Sequence, residues 1–219
     1  MLQTMKAFVL LGAGLSFVGA QTMEKCNTQG TLCFQQITDP TTQITLGLAL
    51  PPGGAIDVDF LAQLTVPVPY GFAGFGVGAN SAIPQASVGG FVTRFTLSGP
   101  SGAVVNAMLV QQNTLSADGS KLFPTSAGGG TVQVSSLSSY TSTAANFIFR
   151  CQNCLTSSDS GPLGLTLFSS SRAPIYPAID ALNATLLTAG ATISTVEFSD
   201  TVGLQTAEYA GYLAVAGVE

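Results

Sequence analysis

The stretch Tyr70-Gly71-Phe72-Ala73-Gly74-Phe75-Gly76-Val77-Gly78-Ala79-Asn80-Ser81 constrains this chain more than any other. Its glycines at 71, 74, 76 and 78 stand between apolar residues. Glycine weakens a strand, so this density implies a backbone that a ligand or another strand approaches closely. It is not a phosphate-cradling loop, because no helical pattern follows it and Pro84 comes soon after.

The segments on either side also read as short strands. Ile44 to Leu50 is one, stopped by Pro51-Pro52-Gly53-Gly54, and Phe60 to Val68 is the next, with Pro67 and Pro69 placing its end at a sheet edge. Val88 to Leu97 alternates Phe91, Thr93, Phe95 and Leu97 against Val92, Arg94 and Thr96. Val104 to Gln111 follows the turn Gly99-Pro100-Ser101-Gly102, and Asp118-Gly119 is a hairpin signal. Thr131 to Val134, Asn146 to Arg150, Leu163 to Phe168 and Thr192 to Phe198 continue the series, and Tyr209 to Val215 closes it as a strand. Ser135 to Thr143 reads as a polar loop or a site for O-glycans. One short helix is expected at Ala178 to Leu187. Many short strands between Gly, Pro and Ser turns predict an all-β antiparallel sandwich or barrel, a single domain over residues 21–219.

Residues 1–20 have the form of a secretory signal peptide. Lys6 supplies the charge, Ala7 to Val18 the apolar run and Val18-Gly19-Ala20 the small-residue cleavage site. That run is too short to span a bilayer, which takes about 20 apolar residues, and no later segment is longer. The expected location is therefore extracellular. Export makes Asn183-Ala184-Thr185 a glycosylation acceptor and favours disulfides among the four cysteines. Three pairings are allowed; proximity favours Cys26 with Cys33 and Cys151 with Cys154. Charged residues are 8% of the chain and the net charge is −5, so no basic surface offers itself to nucleic acid.

The chain contains no histidine. That removes Ser-His-Asp and Cys-His nucleophilic sites and imidazole-based zinc or copper centres. Asp57 and Asp59 would share a face if their segment were extended, but they follow a turn, where acids are usually solvated, and they lack the further oxygens of a calcium site. No catalytic residue and no metal site is expected.

The blocks Thr45-Leu46-Gly47-Leu48-Ala49-Leu50-Pro51-Pro52, Asp59-Phe60-Leu61-Ala62-Gln63, Tyr70-Gly71-Phe72-Ala73-Gly74 through Gly78, and Phe149-Arg150-Cys151-Gln152-Asn153-Cys154 resemble the cytochrome domain of cellobiose dehydrogenase. They occur in family order from about residue 44. The resemblance implies a secreted fungal protein with a DOMON-type β-sandwich that holds haem b and passes electrons to copper polysaccharide monooxygenases. It also implies a methionine ligand after the glycine-rich strand and a histidine near the C-terminus. Here those positions fall on Ser81 and on about Thr206. Iron in haem takes His, Met, Cys thiolate or Tyr. The remaining donors outside the signal peptide are Met23, Met108, the cysteines and tyrosines such as Tyr209.

The expectation is a haem-free, non-catalytic binding or surface protein, with polysaccharide or a cell-wall component as partner. One alternative is an electron-transfer haem domain ligated through Tyr209, through Met108 or with no strong axial ligand on one side, and another is a carbohydrate-binding module. Phe72, Phe75, Phe91 and Tyr209 are the candidates to line a pocket, with core packing the usual role of buried aromatics. The sequence does not set the oligomeric state.

Overall fold

The computed structural model describes residues 22–78, 82–96, 104–125, 130–155, 162–175, 184–199 and 201–218. The signal segment 1–20, Ser81 and Asn183 lie outside the described residues.

The chain opens with β1 (Met23–Cys26), β2 (Cys33–Thr38), β3 (Thr45–Ala49), β4 (Asp59–Pro67) and the glycine-rich β5 (Phe72–Val77). Two long strands follow, β6 (Ala86–Thr96) and β7 (Val104–Leu115), then the short β8 (Lys121–Pro124), β9 (Thr131–Val134) and β10 (Ser139–Tyr140). Last come β11 (Ala144–Gln152), β12 (Leu163–Ser170), β13 (Leu186–Leu187), β14 (Thr192–Phe198) and the helix α1 (Tyr209–Ala216). The first sheet runs β1-β2-β3-β4-β11-β10, with β9 also paired to β11; the second runs β13-β8-β7-β6-β5-β12-β14. Every pairing between these strands is antiparallel, as the two-residue alternation of the sequence predicts.

Alternation decides what is buried between the sheets. On the first, Leu46, Leu48, Phe60, Ala62, Leu64, Phe147 and Phe149 point inward; on the second, Ala73, Phe75, Val88, Leu165, Leu167, Val196 and Phe198 meet them. Phe60, Phe75 and Phe149 pack with ring centroids 6.0 to 6.4 Å apart, within the range of favourable aromatic pairs. Across the sandwich, a Cβ on Gly90 would come within 2.9 Å of the Phe147 ring, so that glycine makes room for a phenylalanine of the opposite sheet.

Three expectations are corrected. Pro67 does not mark an edge: β4 lies between β3 and β11, and Pro67 faces Ala144 as the last pair of the ladder, so the proline ends the strand. Tyr209 to Val215 is helical, not extended. The segment is apolar on every side, so it lacks the periodicity that separates helix from strand, and it ends at Gly217 in the left-handed conformation typical of a helix C-terminus. Of the helix expected at Ala178 to Leu187, the described part is extended: Thr185 bridges to Ile175, and Leu186 and Leu187 form β13.

The two favoured disulfides, Cys26–Cys33 and Cys151–Cys154, are both formed. The first closes the β1–β2 hairpin. The Ser135 to Thr143 stretch is less loop-like than its composition suggests. It contains β10, Ser138 Oγ bonds the backbone of Ile148, and buried Ser135 donates to the Ala216 carbonyl at the end of α1.

Candidate functional site

Strand β5 lies between β12 and β6, and its outward face carries Phe72, Gly74 and Gly76. Gly74 faces Gly89 on β6 and Phe168 on β12. A Cβ at Gly74 would lie 2.7 Å from the tip of the Phe168 ring, and one at Gly76 would lie 2.9 Å from the Pro84 ring. The floor that the glycines leave open is therefore occupied by this chain's own rings. Phe72, Phe91, Phe168, Leu122, Ala184 and Leu186 complete an outer cluster over it, with Phe72 and Phe168 edge to face at 6.3 Å. Gln111 holds the cover down as a strand would. Its Nε2 donates to the Ala184 carbonyl (2.7 Å), and its Oε1 accepts from the Ala184 N–H (2.9 Å).

The four expected pocket residues do not meet. Phe72 and Phe91 are in this outer cluster, Phe75 is in the core between the sheets, and Tyr209 lies on the far side of the first sheet. Each is packed, because the strand alternation that puts Phe75 inward necessarily puts Phe72 outward.

Tyr209 begins α1, which covers part of the outer face of the first sheet by packing Tyr212 and Ala216 against Phe34, Leu61 and Ile148. Its hydroxyl donates to Asp59 Oδ1 at 2.9 Å. Arg150, directly across from Leu61, forks onto the same carboxylate with Nε–Oδ1 at 3.1 Å and Nη2–Oδ2 at 2.9 Å. Burial, then the neighbouring Asp59 charge, pushes the Tyr209 phenol well above its ordinary value, and the Asp59 hydrogen bond raises Arg150. The hydroxyl is part of a closed charge cluster. Asp57 sits in the turn ahead of β4, so the extended segment that would align both acids is not formed. Thr206 precedes the helix; its N–H bonds Leu50, and its hydroxyl is shared with Glu208.

The other half of that outer face is open and polar. Cross-strand pairing brings Thr38, Thr45, Thr65, Asn146 and Ser139 into one row over β2, β3, β4, β11 and β10. Beside it, Gln36 Nε2 donates to Gln63 Oε1 (2.6 Å), Gln63 Nε2 donates to Asn146 Oδ1 (2.8 Å), and Thr65 donates to the same oxygen (2.9 Å). Gln36, Gln63 and Thr65 line a cleft of about 180 Å³ between the face and the disulfide-closed β1–β2 hairpin, with Asn146 just outside it. The sequence reading passed over them. The available signal was polar residues two apart, Gln36 and Thr38 in one strand and Gln63 and Thr65 in another.

No protein-family model matches the chain, and no curated protein matches it. Solved structures do. The cytochrome b domain of pyranose dehydrogenase from Coprinopsis cinerea superposes with a TM-score of 0.68 at 16% identity, over 90% of this chain and 96% of that one. The cytochrome domain of Myriococcum thermophilum cellobiose dehydrogenase gives 0.57 at 18% identity, over 89% and 96%. This chain has the cytochrome-domain fold. The resemblance seen in the sequence blocks holds at the level of architecture.

The methionine and histidine ligands that the resemblance implies are not in place, since those positions carry Ser81 and about Thr206. Histidine is absent from the chain. All four cysteines are in disulfides. Met23 is exposed on the edge strand β1, and Met108 packs against the core between the sheets. Tyr209 is committed to Asp59. Glu24 with Cys26 and Cys33 is the only cluster of metal-type ligands among the described residues, and both of its sulfurs are bonded to each other.

Proposed function

We propose that this chain is a haem-free, non-catalytic binding module on the cytochrome-domain fold, exported and acting at an extracellular polymer surface. The observation that carries the reading is the glycine floor of β5: Phe168 and Pro84 fill the space that glycines elsewhere reserve for an approaching group. The missing histidine, the disulfide-bonded cysteines and the Asp59-bound phenol of Tyr209 support it, since iron in a porphyrin needs a strong donor from the protein. Export is supported by the signal-like residues 1–20 and by the two disulfides, which persist in oxidising compartments. No helix among the described residues is long and apolar enough to cross a membrane.

The test is an absorption spectrum of protein expressed or refolded with excess haem. The expected result is no stoichiometric Soret band. A stoichiometric band that weakens in Met108→Leu or Tyr209→Phe would overturn the reading in favour of a haem protein with unusual ligation.

A further inference from the structure

We infer that the open half of the first sheet's outer face binds an extended, uncharged polysaccharide laid across the strands, with Gln36, Gln63, Thr65 and Asn146 as its hydrogen-bonding floor. This deepens the binding-module reading by naming a surface and a ligand class.

The first argument is the chemistry of the face. Five successive strands each contribute one hydroxyl or amide residue to the row, exposed at its Thr38 and Ser139 ends and half-buried in between. None of the five ionises. Lys25, at the lip, is the one charged residue lining the cleft. Nucleic acid would need a basic surface, and a protein partner would need exposed aromatic or Arg anchors in the row. A chain of sugar hydroxyls needs neutral donors and acceptors, which is what the row supplies.

The second argument is preorganisation. Gln36, Gln63 and Asn146 are 27 and 83 residues apart in sequence, yet they hold one another in a line by hydrogen bonds. An amide carries two N–H donors and an acceptor with two lone pairs, so each keeps capacity beyond those bonds. Fixing the side chains before binding removes part of the entropy cost of recognition.

Size and shape supply the third. At ~4.8 Å between strands, the five-strand row is about 19 Å long, enough for several sugar units. The cleft beside Thr45 and Thr65, about 180 Å³, is smaller than the ~300 Å³ lower bound for drug-sized ligands, so it suits a single ring. Leu32, Phe34 and Ile148 form its apolar wall. A polar row continuing past a ring-sized cleft fits a polymer better than a monosaccharide.

The experiment is retention of the full chain on microcrystalline cellulose, chitin and an insoluble β-glucan, at low and high salt. The expected result is salt-insensitive retention on at least one of the three. Binding should fall roughly five- to tenfold in Gln63→Ala and Asn146→Ala, the equivalent of about one hydrogen bond each. Because Gln63 is half-buried, Thr45→Lys provides a second probe that leaves the amide chain intact and places a cation in the row. Thermal melts report whether each variant is folded, and Lys121→Ala on β8 of the other sheet should bind like wild type. Absence of retention on all three polymers overturns the inference. So does release by salt, or retention unchanged in folded Gln63→Ala and Thr45→Lys proteins. A Soret band would sink the haem-free reading without touching this result, and failed retention would leave the spectrum unaffected.

Discussion

Replacing Gly74 by alanine tests whether the glycines of β5 serve packing within the chain. The added Cβ would sit 2.4 Å from the Val88 carbonyl oxygen, 2.7 Å from the Phe168 ring and 2.8 Å from the Gly89 Cα, whereas real Cβ contacts essentially never fall below 3.0 Å. Two of those three atoms are backbone in the paired strand β6, which cannot swing away as a side chain would. Overpacking in a tight core costs about 1–3 kcal/mol, and the backbone contacts put this site at the upper end. Alanine's lower entropy cost in a strand returns about 0.5–1 kcal/mol, leaving a net loss of about 2–2.5 kcal/mol. For a domain of this size that corresponds to roughly 5–10 °C in melting temperature. Gly211→Ala is the internal contrast. Gly211 lies in α1 with nothing within 4 Å of its added Cβ, so helix propensity should stabilise the protein by about 0.5–1 kcal/mol. Urea unfolding of both variants gives the answer. A Gly74→Ala protein within about 0.5 kcal/mol of wild type would refute the claim that the floor is already full.

Two further outcomes concern the charged groups. Asp59→Ala strands the Arg150 guanidinium and the Tyr209 hydroxyl together, at side-chain exposures of 15% and 14% for the ion pair, and should cost about 2–4 kcal/mol; Tyr209→Phe should cost only about 1 kcal/mol. A double-mutant cycle between Asp59 and Arg150 with coupling below about 0.5 kcal/mol would contradict this. Asp39, buried at the β2–β3 turn, is pushed up by burial, but bonds from Thr42, from Ser194 on β14 and from backbone N–H groups outweigh this and hold its carboxyl below the usual range. Its contribution is thus present above the unfolded carboxylate pKa, near 3.8, and is lost as pH falls through the lower folded value. Denaturant melts should show this acid-side loss in wild type and its absence in Asp39→Asn.

The sandwich was legible because nearly every strand is bounded by Gly, Pro or Asp-Gly and alternates with period two. β3, β4, β6, β11, β12 and β14 fall within a few residues of where the pattern puts them. The helix was not legible, because α1 is apolar all round: one side meets the sheet and the other side is Ala, Gly and Val. Gly217 was the available stop signal, with Thr206 and Glu208 at the other end. The pocket expectation failed for a reason that local sequence cannot reveal. Aromatic residues along β5 and β6 read alike, while parity within each strand sends Phe75 into one cluster and Phe72 and Phe91 into another. The amide line on the first sheet is harder still, since it joins residues 27 and 83 positions apart.

These differences leave the two outer faces of the sandwich unequal, and the inequality follows from covalent and polar ties. On the second sheet, Phe168 and Pro84 take the glycine floor and the Gln111–Ala184 pair fastens the cover, so opening that face would forfeit a buried aromatic cluster and two buried bonds between the Gln111 amide and the Ala184 backbone together. On the first sheet, Asp59 and Arg150 tie α1 down at its first residue, Tyr209, and the Cys26–Cys33 hairpin walls the other side. What lies between them is a half-buried row of hydrogen-bonded hydroxyl and amide groups, with Lys25 as the one charge lining its cleft. Side chains fixed in advance lower the entropy cost of recognition, and weak contacts repeated along a polymer add up, so the proposed polysaccharide site belongs on this face and not on the covered one.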